Sequence, residues 1–411
     1  MELKKLVTYS FTTLLISDAL EYLASTAVMS FNPVYVAAFL KAISLYCLFS
    51  YNRKVKWKNE IPKPVLNIFR CLLFWNVITI IRGALSAQDY WDWRYLGLSS
   101  FFYFLIPYAM VVGILFFNNL HLFKFILKKV YVYSFLLLPL SFFGLLLYSR
   151  VIISVCMYIL LSVYLKRSWR LAILFAAFCS VITGFEIRAN VLRIAIAVIL
   201  MGLYFIRRVV KLGILRIVCV IFLIAPFVFL SLGISDQFNI FQPFDDNDET
   251  YVIGEGDGTS SNLVADTRTL LYQEVFSSML NNNISLFFGG GATAKYQSRI
   301  IVEANEDRGR YRSEVGFLNT LLYSGIIGVL LYFLILVSAA FYALNRSNNF
   351  FVKLLGIFVA TRWVLFFIED ITLYDMNFYF LWIAIGMCFS TRFRNVTDHD
   401  IKNIVVKYIQ A

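Results

Sequence analysis

The feature that most constrains this chain is a succession of apolar runs, each long enough to cross a lipid bilayer as a helix. A transmembrane helix needs about 20 mostly apolar residues to cross about 30 Å of hydrocarbon. The sequence contains about twelve such runs, near residues 5–24, 33–50, 65–84, 96–117, 130–148, 151–165, 171–187, 190–206, 214–233, 316–343, 351–368 and 377–390. Because backbone polar groups in a bilayer need partners within the protein, the runs predict an all-α, polytopic membrane protein.

Composition excludes most other classes of protein. The 411 residues are 60% hydrophobic and 15% charged, whereas soluble domains are about 45–50% apolar and about a quarter charged. A soluble enzyme, a disordered protein and a secreted disulfide scaffold are therefore poor interpretations. All six cysteines fall within the predicted spans, without the spacing of metal ligands. The net charge of +12 fits Lys and Arg flanking the spans of a membrane protein, so we expect a lipid bilayer and no nucleic acid as partner.

Basic residues recur in every second gap between the runs, and this alternation predicts the orientation. They lie at 4–5, 53–63, 124–129, 166–170, 207–216, 346–353 and 392–394. The gaps 25–32 and 369–376 contain no Lys or Arg. The positive-inside rule then places both termini, and both histidines, in the cytoplasm. We expect no cleavable signal, because the first run is too long and lacks a small-residue cleavage site.

The predicted organisation has one large soluble feature. Residues 1–233 carry helices 1–9, residues 234–315 form a large outer loop, residues 316–391 carry helices 10–12, and residues 392–411 form a cytoplasmic tail. A loop longer than about 15 residues in a compact protein is usually functional or disordered.

The outer loop has three parts. The stretch 241–262 is acidic and Gly-rich, above all at 245–257, and this composition favours mobility. A calcium-binding loop is the alternative, but the Gly and the terminal Glu of an EF-hand are missing. The stretch 266–287 predicts a helix, with Asp266 as N-cap and apolar residues at 270, 271, 275 and 279. We interpret Gly289–Gly291 as the stop of that helix, with a phosphate-cradling loop as the alternative. The third part, 303–313, is densely charged.

Ionisable residues within spans are expensive and suggest function. Arg188 marks the predicted outer boundary of the membrane, and Arg193 lies about a turn and a half deeper. Arg193 also follows Glu186 by seven residues, so the two side chains share a helix face. Arg193 therefore either pairs with Glu186 or faces a site. Arg362 and Glu369 are also seven residues apart. They form either a structural pair or part of the lining of one cavity.

A second group of charges, Asp18 and Glu21 with Lys41, is interpreted as structural ion pairing between the first two helices.

Arginines converge on the predicted outer face from separate elements, with Glu314 among them. They are Arg188 at the membrane boundary, Arg268 on the loop helix, and Arg308, Arg310 and Arg312 before the tenth span. A guanidinium presents a fixed fork of donors that matches phosphate oxygens and stays charged. The arrangement predicts an outer cavity for an anionic headgroup, such as that of a pyrophosphate-linked lipid.

Three stretches resemble the superfamily of O-antigen polymerases (Wzy-type) and O-antigen ligases, which are bacterial membrane glycosyltransferases. They are GFEIRANVLR at 184–193, TRTLLYQEVFSSMLNNNISLFFGGG at 267–291 and SEVGFLNTLLYSGIIGVLLYF at 313–333. The first is similar to an Arg-bearing span boundary, the second to a periplasmic Arg helix followed by a Gly turn, and the third to the entry into the span after the large loop. The predicted topology agrees with that family.

The resemblance implies a GT-C-like enzyme of the bacterial inner membrane that needs neither metal nor cofactor. It would polymerise undecaprenyl-pyrophosphate-linked oligosaccharide units of O-antigen or a related polysaccharide at the periplasmic face, with a chain-length regulator and a flippase as partners. By position, Arg188 and Arg268 would act on the donor pyrophosphate. Further substrate contacts would come from Arg193, Arg308, Arg310, Arg312 and Arg362.

One departure from the family pattern favours a polymerase over a ligase. Ligases of the family have a His at the start of the third motif, where this chain has Glu314. Glu314 is then the candidate general base, or else an ion-pair partner of Arg310 or Arg312.

Two rival functions stay open beside the polymerase. One is an O-antigen ligase that joins polymer to lipid A-core, and the other is a flippase or another twelve-helix transporter. Transporters often contain an internal repeat and bind their substrates near the midplane of the membrane. This sequence shows no repeat between its halves, and its unusual charges cluster at one face.

Overall fold

The computed structural model describes most of the chain, and the regular structure of that part is helical apart from one β-bridge between Tyr296 and Arg310. The described residues are 3–25, 33–143, 146–184, 188–234, 268–281, 284–298, 309–370 and 372–410. The acidic stretch 241–262, Asp266, Glu186 and Arg308 lie outside them, so the predictions made for those residues stay untested.

Helices occupy most of the positions where apolar runs predicted them. The helices used below are α1 (Leu3–Ser25), α2 (Val34–Lys54), α3 (Lys63–Ser86), α4 (Tyr90–Ile114), α5 (Leu120–Phe125), α6 (Leu147–Ser154), α7 (Met157–Tyr164), α8 (Arg167–Thr183), α9 (Arg188–Phe205), α10 (Leu212–Ile234), α11 (Arg268–Asn281), α12 (Gly316–Asn345), α13 (Phe350–Phe366), α14 (Met376–Phe389), α15 (Thr391–Asn395) and α16 (Asp398–Val405). In the described part, five of them (α2, α3, α4, α10 and α12) are long and apolar enough to span a membrane, and α6 with α7 adds a sixth if the bent pair is one span. The membrane character is therefore supported, while the count of twelve spans stays a prediction.

The two predicted spans between 130 and 165 are not straight helices. The first is a short helix, Tyr131–Ser134, that continues as the 3-10 segment Phe135–Phe143 around Pro139. Proline has no N–H to donate and clashes with the preceding turn, which disfavours a regular α-helix there. The second consists of α6 and α7, which meet at an angle of 53°.

Helix α14 forms the centre of the bundle, and all its residues are buried. A helix that is apolar all round belongs in the interior of a protein. It approaches α4 so closely that a Cβ on Gly113 would collide with the backbone of Ile383, and one on Gly386 with that of Met110. Such small residues let two backbones approach, as in membrane helix pairs.

Helix α12 is interrupted at Gly325, and a segment of the large loop fills the break. Gly325 has φ 66° and ψ −171°, a conformation essentially restricted to glycine. The loop backbone replaces the lost helical hydrogen bonds: Ile326 N–H donates to Leu286 O (2.8 Å), and Gly290 and Gly291 N–H donate to Leu322 O and Tyr323 O (2.8 and 2.9 Å).

Helix α3 holds this wedge, residues 284–292, from the other side. Arg82 donates from both terminal nitrogens to the carbonyls of Phe288 and Gly289, at 2.5 Å each, and Ala292 N–H donates to Thr79 O at 3.1 Å. The backbone groups at the break thus find partners in the wedge, as an apolar interior requires.

The wedge corrects two sequence interpretations. The helix predicted over 266–287 ends at Asn281, so Gly289–Gly291 is not its stop. The glycines are not a phosphate cradle either, because their three N–H groups already donate to backbone carbonyls. The predicted apolar face is confirmed, since Leu271, Val275 and Met279 of α11 are buried.

Gly325→Ala tests the role of the wedge. A Cβ at Gly325 would collide with Phe287 O, and the backbone conformation alone costs about 1–3 kcal/mol for a residue other than glycine. We expect a lower melting temperature of the detergent-purified protein. Gly202→Ala is the matched control, because its added Cβ meets no described atom within 4 Å outside its own stretch of helix and alanine favours helix. Equal melting temperatures for both variants would contradict the assignment.

Candidate functional site

A large cavity opens where helix ends meet at the side of the bundle that carries the described parts of the large loop, here called the loop end. Its volume is about 1170 Å³. Its lining comes from α1, α2, α4, α6, α9, the start of α14, the loop residues 297–298 and 309–312, and Asp370, Leu373 and Asp375 before α14. The topology therefore gathers residues from most of the chain at the face that the basic residues predict to be outside.

Several ionisable residues line the loop-end cavity: Asp18, Glu21, Lys41, Arg94, Arg150, Arg193, Arg310, Arg312, Asp370 and Asp375. Some of the cations are neutralised by carboxylates. Lys41 Nζ lies 2.6 Å from Glu21 Oε1, which confirms the structural pairing predicted between the first two helices. Arg312 Nε lies 2.7 Å from Asp370 Oδ2. Burial alone would lower the pKa of Arg312, but the Asp370 carboxylate, together with Tyr95, Tyr323 and Glu21, holds that pKa above its usual value.

Glu369 neutralises Arg193, which lines the cavity, and Arg362, which does not. Arg193 Nε donates to Glu369 Oε1 at 3.0 Å, Arg193 Nη2 donates to Oε2, and Arg362 Nη1 lies 3.8 Å from Oε1. Arg362 Nη2 also donates to Asn377 Oδ1 at 2.6 Å. Glu369 and Arg362 are only 8% and 3% exposed, so the three charges depend on one another.

Three arginines of the lining have no such partner. Arg94, Arg150 and Arg310 form no ion pair with a carboxylate in the described part of the chain. Aromatic rings position two of them: Arg94 lies 4.8 Å from the ring centroid of Trp91, and Arg150 lies 4.4 Å from that of Tyr22. Cation–π contacts orient a guanidinium without cancelling its charge.

Asp92 anchors the loop segments that cover one side of the cavity. Tyr311 Oη donates to Asp92 Oδ1 at 2.7 Å, and Lys295 Nζ lies 2.7 Å from the same oxygen. The ring of Tyr311 stacks on Tyr95, with 4.3 Å between centroids. Burial and the hydrogen bond to Asp92 raise the pKa of Tyr311, so its phenol stays protonated as a donor.

The structure brings three of the predicted site residues together. Arg193, Arg310 and Arg312 line the cavity, but only Arg310 is free of a carboxylate among the described residues. Arg188 and Arg268 are the first residues of α9 and α11, with side chains outside the described atoms.

Two predicted site residues lie apart from the cavity. Arg362 is buried beside Glu369 and is not part of the lining, which confirms the interpretation as a structural pair. Glu314 is exposed, does not line the cavity and forms no ion pair with a described residue. The interpretation as a Glu314–Arg312 pair is wrong, because Arg312 bonds to Asp370. Arg193 pairs with Glu369, while Glu186, the partner predicted for it, lies outside the described residues.

Sequence reasoning missed Arg94, Arg150 and the acidic residues Asp370 and Asp375. Arg150 was the most detectable, as a lone cation in the apolar stretch around Leu145–Ile153, in a gap predicted to be outside. Arg94 lies in the aromatic sequence YWDWRY, which is equally typical of a membrane-interface belt.

Searches of protein-family models, of curated proteins and of solved structures find no match for this chain.

Glu369→Gln tests the buried charge cluster. The variant leaves the Arg193 and Arg362 guanidiniums buried without their carboxylate, and removing one partner of a buried pair costs about 3–5 kcal/mol. Arg193→Met costs less, because Glu369 keeps Arg362. Thermal melting in detergent measures both. Glu314→Gln is the control, since that side chain is exposed and the variant should melt like wild type; a Glu369→Gln protein that also melts like wild type would contradict the cluster.

Proposed function

We propose that this chain polymerises undecaprenyl-pyrophosphate-linked oligosaccharide units of O-antigen or a related surface polysaccharide, at the periplasmic face of a bacterial inner membrane. The observation that carries the proposal is the loop-end cavity with three arginines, Arg94, Arg150 and Arg310, that no described carboxylate neutralises. Cations of this kind are suited to an anionic group that is brought by a ligand.

The charges divide by role. Arg193, Arg312 and Lys41 each have a carboxylate within ion-pair distance, so their positive charge mainly stabilises the fold. Arg94, Arg150 and Arg310 are oriented by rings or by the backbone bridge at Arg310. A pyrophosphate offers oxygens on two phosphorus atoms, and several convergent guanidinium forks match it better than one.

The size of the cavity suits a reaction between two bulky substrates. Pockets for single small molecules usually measure about 300–1,000 Å³, and this cavity measures about 1170 Å³. Apolar side chains of α1 and α6, including Leu15, Leu147 and Val151, form part of its wall. They can contact the first isoprene units of a lipid whose pyrophosphate reaches the arginines.

The proposed step is a glycosyl transfer. A hydroxyl oxygen of the acceptor sugar attacks the anomeric carbon of the donor, and the bond from that carbon to the pyrophosphate oxygen breaks. The electron pair leaves with the lipid pyrophosphate, where the arginines stabilise the developing charge. The hydroxyl proton passes to a carboxylate that acts as general base.

The cavity offers a better-placed base than Glu314. Glu21 and Asp370 are held by Lys41 and Arg312, and Asp375 is the N-cap of α14, where its Oδ1 accepts from Phe378 N–H at 2.7 Å. Asp18 accepts a hydrogen bond from Met376 N–H through Oδ2 at 2.7 Å, while its Oδ1 is buried and has no hydrogen-bond partner among the described residues. We therefore propose Asp18 as the base, with Glu314 as the alternative.

The arginine assignment is tested in a strain that lacks the gene for this chain. Arg94→Gln, Arg150→Gln and Arg310→Gln should each shorten or abolish the polymer ladder, because losing one stabilising group in such a site costs about 10²–10³ in rate. Arg208→Gln, on an exposed residue between α9 and α10, is the charge-matched control. Immunoblots of membranes confirm expression.

The same strain distinguishes the rival functions. Loss of a polymerase leaves single repeat units on the surface, loss of a ligase leaves polymer on its lipid carrier, and loss of a transporter leaves units inside. Wild-type ladders from all three well-expressed arginine variants would refute the pyrophosphate site.

Asp18→Asn separates the two candidate bases. The amide keeps an oxygen acceptor for Met376 N–H, so we expect normal expression and melting. The rate of polymer formation by reconstituted protein should fall by about 10²–10⁴-fold. In wild type the rate should decline at acid pH, because the carboxylate base becomes protonated, and in the variant this decline should be absent. Glu314→Gln should retain near-wild-type rate and pH profile. The opposite result would move the base to Glu314.

A further inference from the structure

A second cavity lies away from the loop end, between α2, the connection that follows it and α3. Its volume is about 880 Å³. It shares no lining residue with the loop-end cavity, and the proposed glycosyl transfer does not use it.

Cations alone provide the charge of this cavity. Arg53, Lys56, Lys58 and Arg70 line it, and its lining contains no Asp or Glu among the described residues. All four are exposed, and none forms an ion pair with a described carboxylate. The loop-end cavity, by contrast, has carboxylates among its cations.

The rest of the lining is largely apolar and aromatic. Phe49, Leu66, Phe69, Leu73 and Tyr108 form a wall beside the basic rim. Because α2 and α3 are both long and apolar enough to span a membrane, we expect their connection at residues 55–62 to lie at the level of the bilayer surface. A ligand at this level would contact the four cations with its phosphate and the apolar and aromatic wall with its hydrocarbon chain.

One polar group of the lining lacks a partner. Asn52 donates from Nδ2 to the carbonyl of Tyr108 at 3.3 Å, while its buried Oδ1 has no partner among the described residues. A buried acceptor without a donor is costly, and a headgroup hydroxyl would satisfy it.

From these observations we propose that the second cavity binds one anionic phospholipid of the surrounding leaflet, with its phosphate among the four cations and the start of an acyl chain against the aromatic wall. Phosphatidylglycerol fits best, because it combines a phosphate charge with headgroup hydroxyls. Basic clusters directly beside membrane helices are suited to such lipids. This inference does not depend on the polymerase proposal.

Lipid-dependent melting of the purified full-length protein in non-ionic detergent tests the site. Dioleoyl-phosphatidylglycerol should raise the melting temperature at lower concentration than dioleoyl-phosphatidylcholine. In Lys56→Gln/Lys58→Gln the concentration of phosphatidylglycerol needed should rise by roughly thirtyfold, because two cations near the surface are lost. The response to phosphatidylcholine should not change. Arg208→Gln/Lys211→Gln removes two exposed charges from another basic gap and should behave like wild type.

Three results would overturn the proposal. The first is an equal response of wild type to the two lipids. The second is an equal loss of the phosphatidylglycerol response in both double variants, which would indicate bulk charge alone. The third is full stabilisation by inorganic phosphate or glycerol phosphate, which would indicate a site for free anions. If Lys56→Gln/Lys58→Gln is poorly folded, Arg70→Gln gives the same comparison from α3 with one charge removed, against Arg208→Gln.

Discussion

The adjacent carboxylates Glu369 and Asp370 hold the loop end of this protein together. Glu369 neutralises Arg193 and Arg362, Asp370 neutralises Arg312, and the Glu369 carbonyl accepts the first N–H of α12, from Gly316, at 3.0 Å. Two consecutive residues thus join α9, α12, α13 and the loop. Buried charges are tolerated only when they are paired and hydrogen-bonded, so this pairing also decides which arginines remain available to a ligand.

The break in α12 links the loop to the same end of the bundle. A long apolar helix cannot be interrupted in a membrane protein unless other groups replace its hydrogen bonds. The wedge 284–292 replaces hydrogen bonds of α12 on one side, and on the other side Arg82 of α3 donates hydrogen bonds to its carbonyls. Tyr323, just before the break, donates its phenol to the carbonyl of Tyr311. Tyr323, whose carbonyl accepts from the wedge at Gly291 N–H, thus also holds the segment that presents Arg310 and Arg312.

The helices were predictable from hydropathy because each apolar run has its own local preference for helix. The pairing of charges was less predictable, since Arg193 and Glu369 are separated by 176 residues and their meeting depends on how α9 and α13 pack. Sequence spacing correctly related Arg362 to Glu369, seven residues later, and wrongly offered Glu314 as a partner of Arg312, which pairs with Asp370. The glycines at 289–291 were misinterpreted for the same reason: their use depends on Gly325, more than thirty residues later in the chain.

The two proposals give the same residue types different purposes in one protein. In the second cavity, no described carboxylate stands among the cations, so their field is positive and suits a lipid phosphate that only has to be held. At the loop end, carboxylates stand among arginines, which weakens net attraction but supplies proton acceptors beside anion-binding groups. A site that merely binds an anion gains nothing from Asp18, because a carboxylate repels phosphate. A site that must take a proton from a hydroxyl while it releases pyrophosphate needs both kinds of group within one cavity.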